Sequence, residues 1–475
     1  MAQCLAPKHP SFARVGQSLS RYFLEGSDTP NLMSIQYHSL FPAPFRSLMG
    51  RIEASPFASR LAWGSFWSLA GSVMARGFGL IAAMVAARIL GKASYGELGI
   101  IQSTVGMFGT LAGFGMGATA TKYVAELRRT DPDRAGRIIG LSSLVSWVTG
   151  LGLTFLLLML SPWLCSKTLA APHLTTYMQI GSLLLLLSAV NGAQNGVLSG
   201  FEAFKTIARV NSIAGVLNLP LVVGGAYMFG LSGLVWGMIL AQAIGCFLNY
   251  CALRCEAIRY EIAISYSSCA AELSVLSRFA VPAVLGGLLV SPANWACAAM
   301  LVNKPGGYAQ MGTFNAANQW FNALMWLPYM LGGVVMPMLA ERLGVNDRAR
   351  SAKLLIASIK INTAVTLPLI LVGSVCSPFI MSGYGKDFAR EWPTLVATLI
   401  TAGLFAIEIP VGHVIAASGR MWLGFWMNFI YAMAVVVASW LLLGWGSLGL
   451  AVARLLAYAV HAIWTFLYAK KVIRT

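Results

Sequence analysis

The sequence predicts an all-α polytopic membrane protein with about 12 transmembrane helices, arranged as two six-helix bundles related by a parallel pseudo-twofold repeat. Three observations predict this fold class. Hydrophobic residues make up 57% of the chain and charged residues only 10%, and the mean hydropathy is +0.71. Apolar runs of about 20 residues, the length that crosses a hydrocarbon core of about 30 Å, recur from Leu61 onward. The second half of the chain also repeats features of the first.

Twelve apolar segments are long enough to be spans. They are predicted at 61–87, 97–121, 138–164, 174–198, 207–229, 231–253, 279–302, 309–338, 354–381, 393–417, 421–444 and 446–469. Two of the boundaries fall inside long apolar runs, at Gly230 and at 444–446, where glycine permits a tight turn.

The internal repeat links the segment after the first span to the segment after the seventh. Three residues recur 213 positions later: Tyr95, Gly99 and Gln102 as Tyr308, Gly312 and Asn315. Because six spans return the chain to its starting side, the two copies have the same orientation. The predicted organisation is an N-terminal cytoplasmic tail at 1–60 with little order, a six-helix bundle at 61–254, a cytoplasmic linker at 255–278 and a second bundle at 279–470.

The net charge of +17 reflects topology and requires no nucleic-acid partner. With a cytoplasmic N-terminus, the inside segments hold roughly 24 Lys and Arg residues and the outside segments roughly 6. This asymmetry predicts that both termini are cytoplasmic.

The sequence contains no catalytic, cofactor or metal motif. The patterns G-x-x-x-x-G-K-[ST], H-E-x-x-H and G-x-S-x-G do not occur. The eight cysteines lack zinc-site spacing, and Asp131-Pro-Asp133 reads as a solvated turn. We therefore expect neither an enzyme nor a metalloprotein.

Charged residues inside the predicted spans are candidates for function, because each costs about 2.5–3.5 kcal/mol to insert. Those away from the span ends are Arg76, Lys360, Arg454 and Glu408. The cationic excess indicates an anionic ligand. A structural pair with Glu408 is the alternative for Arg76, and snorkelling to the surface is the alternative for Lys360.

Ion coupling is predicted for Glu408 and His413, which share the tenth span. A purely structural role is the alternative for both residues. His461, in the last span, is expected to be structural.

Two amide stripes form a second polar pattern. Asn315, Asn318 and Asn322 share one face of the eighth span, and Asn191 and Asn195 share one face of the fourth. Amides both donate and accept hydrogen bonds, as hydroxyl-rich ligands require, so all five are candidate sugar contacts. Hydrogen bonding between helices is the alternative.

Helices interrupted by Gly or Pro at matching places in two repeats often line a transport cavity. The first span contains Gly71, Gly77 and Gly79, and the seventh contains Pro282, Gly286, Gly287 and Pro292. These two spans are the candidates for bending.

Three segments resemble the oligosaccharide flippase (polysaccharide biosynthesis, Wzx-type) family of the multidrug/oligosaccharidyl-lipid/polysaccharide (MOP) exporter superfamily. They are 87–96, 199–204 and 229–237, and the resemblance runs over about 60–470. One departure is Gly91-Lys92, where the family often has Gly-Pro.

The resemblance implies a flippase of the bacterial inner membrane that moves undecaprenyl-diphosphate-linked oligosaccharide by alternating access through a cationic cavity. Arg76, with Arg88 and Arg454, then becomes the candidate diphosphate site. The implied partners are the lipid-linked oligosaccharide, membrane lipids, a polysaccharide polymerase and a chain-length regulator. Two alternatives stay open: a drug extruder of the same superfamily, and a membrane-embedded polymerase or ligase.

Overall fold

The computed structural model describes residues 56–113, 115–266, 269–272, 289–344, 348–418 and 420–474. These residues form long helices joined by short turns. The helices are α1 Pro56–Ala112, α2 Met116–Leu127, α3 Pro132–Trp163, α4 Thr175–Gly200, α5 Phe204–Arg259, α6 Val290–Val302, α7 Gly307–Gly344, α8 Arg348–Val375, α9 Ser377–Tyr384, α10 Lys386–Ala389, α11 Trp392–Ala417, α12 Met421–Leu442 and α13 Gly446–Arg474.

Several of these helices reverse direction within one continuous element. Helix α5 has 56 residues, about 84 Å if straight, which is far more than one membrane crossing requires. At Gly230 the backbone enters the left-handed region with φ 59°. A Cβ added at Gly225 would overlap the carbonyl oxygen of Gly233, so the two arms run side by side. The predicted division at Gly230 is therefore confirmed.

The same device joins α12 to α13. Gly446 has φ 60°, and a Cβ on Gly449 would overlap the carbonyl oxygen of Leu442. In α1 the break falls at Gly91, with φ 78° and ψ 170°. Close helix packing at such turns requires glycine because any side chain would collide with the facing backbone.

Among the described residues, seven helical stretches are long and apolar enough to cross a membrane. Three of these, Val73–Ala112, Phe204–Arg259 and Trp422–Lys471, contain a reversal and supply two crossings each. The seven stretches with their three reversals give ten crossings. The 38-residue α7 and the 13 described residues of α6 lie at the other two predicted spans. The predicted all-α polytopic fold is confirmed.

One predicted span differs from the structure. The span predicted at 97–121 is interrupted, because α1 ends at Ala112 and Gly115 adopts a left-handed conformation before α2 begins. Asp131 caps the start of α3, accepting a hydrogen bond from the Arg134 amide at 2.9 Å. Of the predicted bending glycines and prolines, 282, 286 and 287 lie outside the described residues, as do 1–55 of the predicted tail.

The two copies of the repeat pack directly against each other where the halves meet. A Cβ on Gly96 in α1 would overlap the carbonyl oxygen of Tyr308 in α7, and a Cβ on Gly312 would overlap that of Lys92. This contact places α1 and α7 in direct apposition. The repeat motif thus forms the junction between the halves.

The hydrophobic cores show where the halves separate. One large cluster draws residues from both halves, from Ala86 to Tyr458. A second cluster, between Ala120 and Ile262, contains N-terminal residues alone, and a third, between Leu339 and Ala469, contains C-terminal residues alone. In the described part of the chain the halves therefore share a core at one end and keep separate cores at the other.

Candidate functional site: a cavity between the two halves

Two neighbouring cavities lie at the junction of α1, α5, α6, α7, α12 and α13. The first has a volume of about 310 Å³ and is lined by Arg76, Asn218 and apolar residues. The second has a volume of about 270 Å³ and is lined by Asn294, Asn315, Asn318 and Arg454. Both are lined by Gln102, Gln319 and Asn322, so the two cavities are adjoining parts of one polar region.

Arg454 is the most constrained cation of the cavity. Its Nη1 donates a hydrogen bond to Asn318 Oδ1 at 2.8 Å, and its guanidinium lies 4.0 Å from the ring centre of Phe321. Nε is buried and has no partner among the described residues. The guanidinium thus keeps unused hydrogen-bonding capacity towards a ligand.

Arg76 lines the other cavity, with its guanidinium 5.4 Å from the ring centre of Trp326. Within the described ranges, neither Arg76 nor Arg454 forms an ion pair with a carboxylate. The alternative that Arg76 pairs with Glu408 is wrong, since Glu408 is bonded to His461 instead. Two cations without carboxylate partners make the cavity electropositive.

The predicted sugar contacts separate into two groups. Asn315, Asn318 and Asn322 all line the second cavity. Asn191 lies elsewhere: its side-chain oxygen accepts hydrogen bonds from Asn249 on α5 at 2.6 Å and from Asn195 at 3.0 Å. Neither Asn191 nor Asn195 lines the two cavities. The α7 amides face the cavity, whereas the α4 amides join α4 to α5.

Arg88 is also apart from the cavity. Its guanidinium donates hydrogen bonds to the backbone oxygens of Gly383 at 2.6 Å and Ser382 at 3.3 Å. These bonds connect the first half to the second near the turn that precedes α10. The structure therefore brings Arg76 and Arg454 to the cavity and places Arg88 outside it, among contacts between the halves.

The two predicted coupling residues have different surroundings. The His413 ring lies against Gly332 of α7, and its Nδ1 is buried without a partner in the described chain. Glu408 is 3% exposed, and its Oε2 lies 2.5 Å from Nδ1 of His461 on α13. Glu408 and His413 do not bond to each other.

Sequence reasoning missed His461 and Gln102 as polar neighbours of the site. His461 lies seven residues after Arg454, with Tyr458 and Thr465 completing a polar stripe on one face of α13. That spacing was a usable signal. Gln102 belongs to the repeat motif and lines both cavities.

The fold is that of the MOP-superfamily transporters. An inward-facing multidrug transporter of the MATE family aligns with a TM-score of 0.69 at 15% identity, covering 86% of this chain and 98% of that one. The lipid II flippase MurJ in an inward closed conformation aligns at 0.64 and 14% identity, covering 85% and 87%. A MOP transporter from Pyrococcus furiosus, described by a binding pocket of reversed polarity, aligns at 0.62 and 14% identity, covering 86% and 95%.

The family follows from the sequence. A family model described as polysaccharide biosynthesis protein matches residues 61–342, and the chain belongs to this family. The EPS I polysaccharide export inner membrane protein EpsE of Ralstonia solanacearum is 29% identical over 194 residues, which is 39% of this chain and 43% of that protein. The match thus spans less than half of that relative's length. The resemblance to the oligosaccharide flippase family is confirmed.

Proposed function

We propose that this protein is a flippase that carries undecaprenyl-diphosphate-linked oligosaccharide across the bacterial inner membrane by alternating access. The observation that carries the proposal is the pairing of two carboxylate-free guanidiniums, Arg76 and Arg454, with an amide-lined cavity between the halves. Guanidinium groups match diphosphate oxygens through paired hydrogen bonds, and amides match sugar hydroxyls. Asn315, Asn318 and Asn322 take the sugar-contact role in this proposal.

Alternating access is supported by the distribution of contacts between the halves. At the sealed end, which we define by the segments 88–95, 168–169, 303–308 and 382–391, hydrogen bonds and an ion pair join the halves. Lys92 Nζ lies 2.8 Å from Glu391 Oε1, and the Tyr308 hydroxyl donates to the Leu169 carbonyl at 2.8 Å. At the separate end, defined by the two single-half cores, each half packs on itself.

The charge distribution assigns the separate end to the cytoplasm in this proposal. The basic residues Arg128, Arg129, Arg134 and Arg137 lie at the end of α2 and the start of α3 on that side, where the loops and helix ends hold roughly 24 Lys and Arg residues against roughly 6 on the sealed side. The conformation is then inward-facing and would accept a substrate made in the cytoplasm. Membrane lipids, a polymerase and a chain-length regulator remain proposed partners.

Export of a surface glycan in a deletion strain tests the proposal. We expect Arg76→Ala to abolish complementation while the protein stays in the membrane, and Arg76→Lys to complement in part, because lysine keeps the charge but loses the planar fork. Loss of export must coincide with accumulation of the lipid-linked unit on the cytoplasmic side. Normal glycan in the Arg76→Ala strain would refute the site, and accumulation of flipped but unpolymerised units would indicate a polymerase instead.

A further inference from the structure

A buried polar contact joins α11 and α13, and the proposed flipping of lipid-linked sugar does not use it. Glu408 lies about 24 Å along α11, and His461 lies about 22 Å along α13, so both are well inside their helices. Glu408 Oε2 is 2.5 Å from His461 Nδ1, and the Thr465 hydroxyl is 3.4 Å from the same nitrogen. The second carboxyl oxygen, Oε1, is buried without a partner in the described chain.

The groups around this pair do not neutralise a carboxylate. Tyr458 and Thr465 on α13 and Tyr431 on α12 lie next to the pair. The other polar groups on the packed helices contact residues other than the pair: Arg454 on α13, His413 on α11, Tyr329 on α7 and Asn362 on α8. In the described part of the chain, His461 is the one basic group within ion-pair distance of Glu408. Arg454, two helical turns away, is bonded to Asn318.

The number of protons on the pair follows from its burial. A buried carboxylate beside a neutral imidazole carries one uncompensated negative charge, which a low-dielectric interior strongly disfavours. One proton, placed on either group, makes the pair neutral as a whole. A second proton would leave a buried imidazolium without a counter-charge. The arrangement thus favours a single shared proton.

We propose that Glu408 and His461 form the proton-binding site of this carrier, and that its occupancy is linked to anion binding at Arg454. On release, the shared proton goes to water and the pair becomes singly negative. His461 of the pair lies on the same helix as Arg454, α13, about 10 Å away along the helix axis, and Tyr458 is in electrostatic range of both Glu408 and Arg454. A negative pair stabilises the guanidinium and competes with an anionic ligand. Deprotonation therefore weakens anion binding, and bound anion favours the protonated pair by the same factor.

The first test needs no substrate. Infrared difference spectra of the purified full-length protein in nanodiscs, taken between acidic and alkaline buffers, should contain one carboxyl signal that disappears in Glu408→Gln. In His461→Gln the signal should move to a different pH. The matched control is Glu97→Gln, which removes the chain's exposed Glu–His contact, Glu97 to His173 at 2.9 Å, and should leave the signal unchanged.

Three outcomes of this test would overturn the proton site. The Glu408→Gln spectrum could match the wild type, the signal could titrate at the same pH in His461→Gln, or sodium ions could remove it at constant pH. The last result would assign the site to a metal cation.

The second test addresses the link to Arg454 and rests on the proposed function. Inorganic diphosphate serves as the probe, and its affinity is compared between wild type and Glu408→Gln at each pH. A unit charge about 10 Å away predicts that the wild type loses on the order of tenfold more affinity on going alkaline. If the diphosphate affinity of the wild type and of Glu408→Gln depended equally on pH, the link between the proton site and Arg454 would be refuted.

The variant Arg454→Gln separates the two proposals, because it should abolish diphosphate binding while the infrared signal remains. If Arg454→Gln binds diphosphate normally, the proposed anion site fails while the proton site still stands.

Discussion

The two halves of this duplicated chain place different chemistry in their interiors. The first half buries neutral amides, with Asn249 on α5 bonded to Asn191 on α4. The second half holds a buried carboxyl group, Glu408, and two partly buried basic groups, His461 and Arg454, on two neighbouring helices. Amide contacts between membrane helices contribute modestly to packing, whereas intramembrane charges are costly enough to require a function. In the functions proposed above, the proton site and one ligand cation, Arg454, belong to the second half, whereas the first half contributes the other ligand cation, Arg76, and the structural amide contact.

The charged half should produce the largest functional effect. We expect Arg454→Gln to reduce transport by more than tenfold, because it removes a cavity cation that no described carboxylate neutralises. The matched variant is Arg88→Gln, since Arg88 bonds to the backbone of Gly383 outside the cavity. The Arg88→Gln variant should keep the wild-type affinity for the ligand. Transport by both variants is measured in proteoliposomes at equal protein content.

A contrary result would change where the anion site is assigned in the two halves. If Arg88→Gln lost ligand affinity as severely as Arg454→Gln, the diphosphate site would extend to the sealed end. Equal activity of Arg454→Gln and wild type would remove the anion site from the second half.

The amide half should show a smaller effect, and on stability. Asn191→Ala removes the acceptor of two hydrogen bonds and leaves the buried Asn249 amide unpaired, at a cost of about 1–2 kcal/mol. Thermal unfolding in detergent should shift down by a few degrees while transport per folded molecule is retained. Asn318→Ala is the counterpart in the cavity, and we expect it to reduce transport several-fold with little change in unfolding temperature.

The opposite result would be a loss of transport in Asn191→Ala and a loss of stability in Asn318→Ala. Loss of transport without loss of stability in Asn191→Ala would restore the sugar-contact prediction for α4, which the cavity lining does not favour.

Sequence reasoning reached the fold because its signals are local. Tight turns at Gly230 and Gly446 follow from glycine, and the duplication follows from the repeat around Tyr95 and Tyr308, whose packing against each other only the structure shows. It could not rank Asn191 against Asn318, because each belongs to an amide stripe on a long apolar helix, and the stripe itself does not show whether it faces a cavity or a neighbouring helix. Likewise, which histidine meets Glu408 depends on how α11 and α13 rotate against each other, which composition does not encode.

The smallest predicted effect concerns the contacts that join the halves at the sealed end. Lys92 and Glu391 form a partly exposed ion pair, with side chains 15% and 27% accessible, and such pairs contribute about 0.2–1 kcal/mol. Because this pair exists in the conformation sealed at that end, Glu391→Gln should shift the population towards the opposite conformation by up to about fivefold. Spin labels at positions 130 and 418, on the two halves at the separate end, would report a larger short-distance fraction by double electron–electron resonance.

The exchanged variant Lys92→Glu with Glu391→Lys restores the pair and should restore the wild-type distribution. An unchanged distribution in Glu391→Gln would show that the aromatic contacts of Tyr95, Tyr384 and Phe388, with ring centres 5.9–6.3 Å apart, hold the sealed end without help from charge.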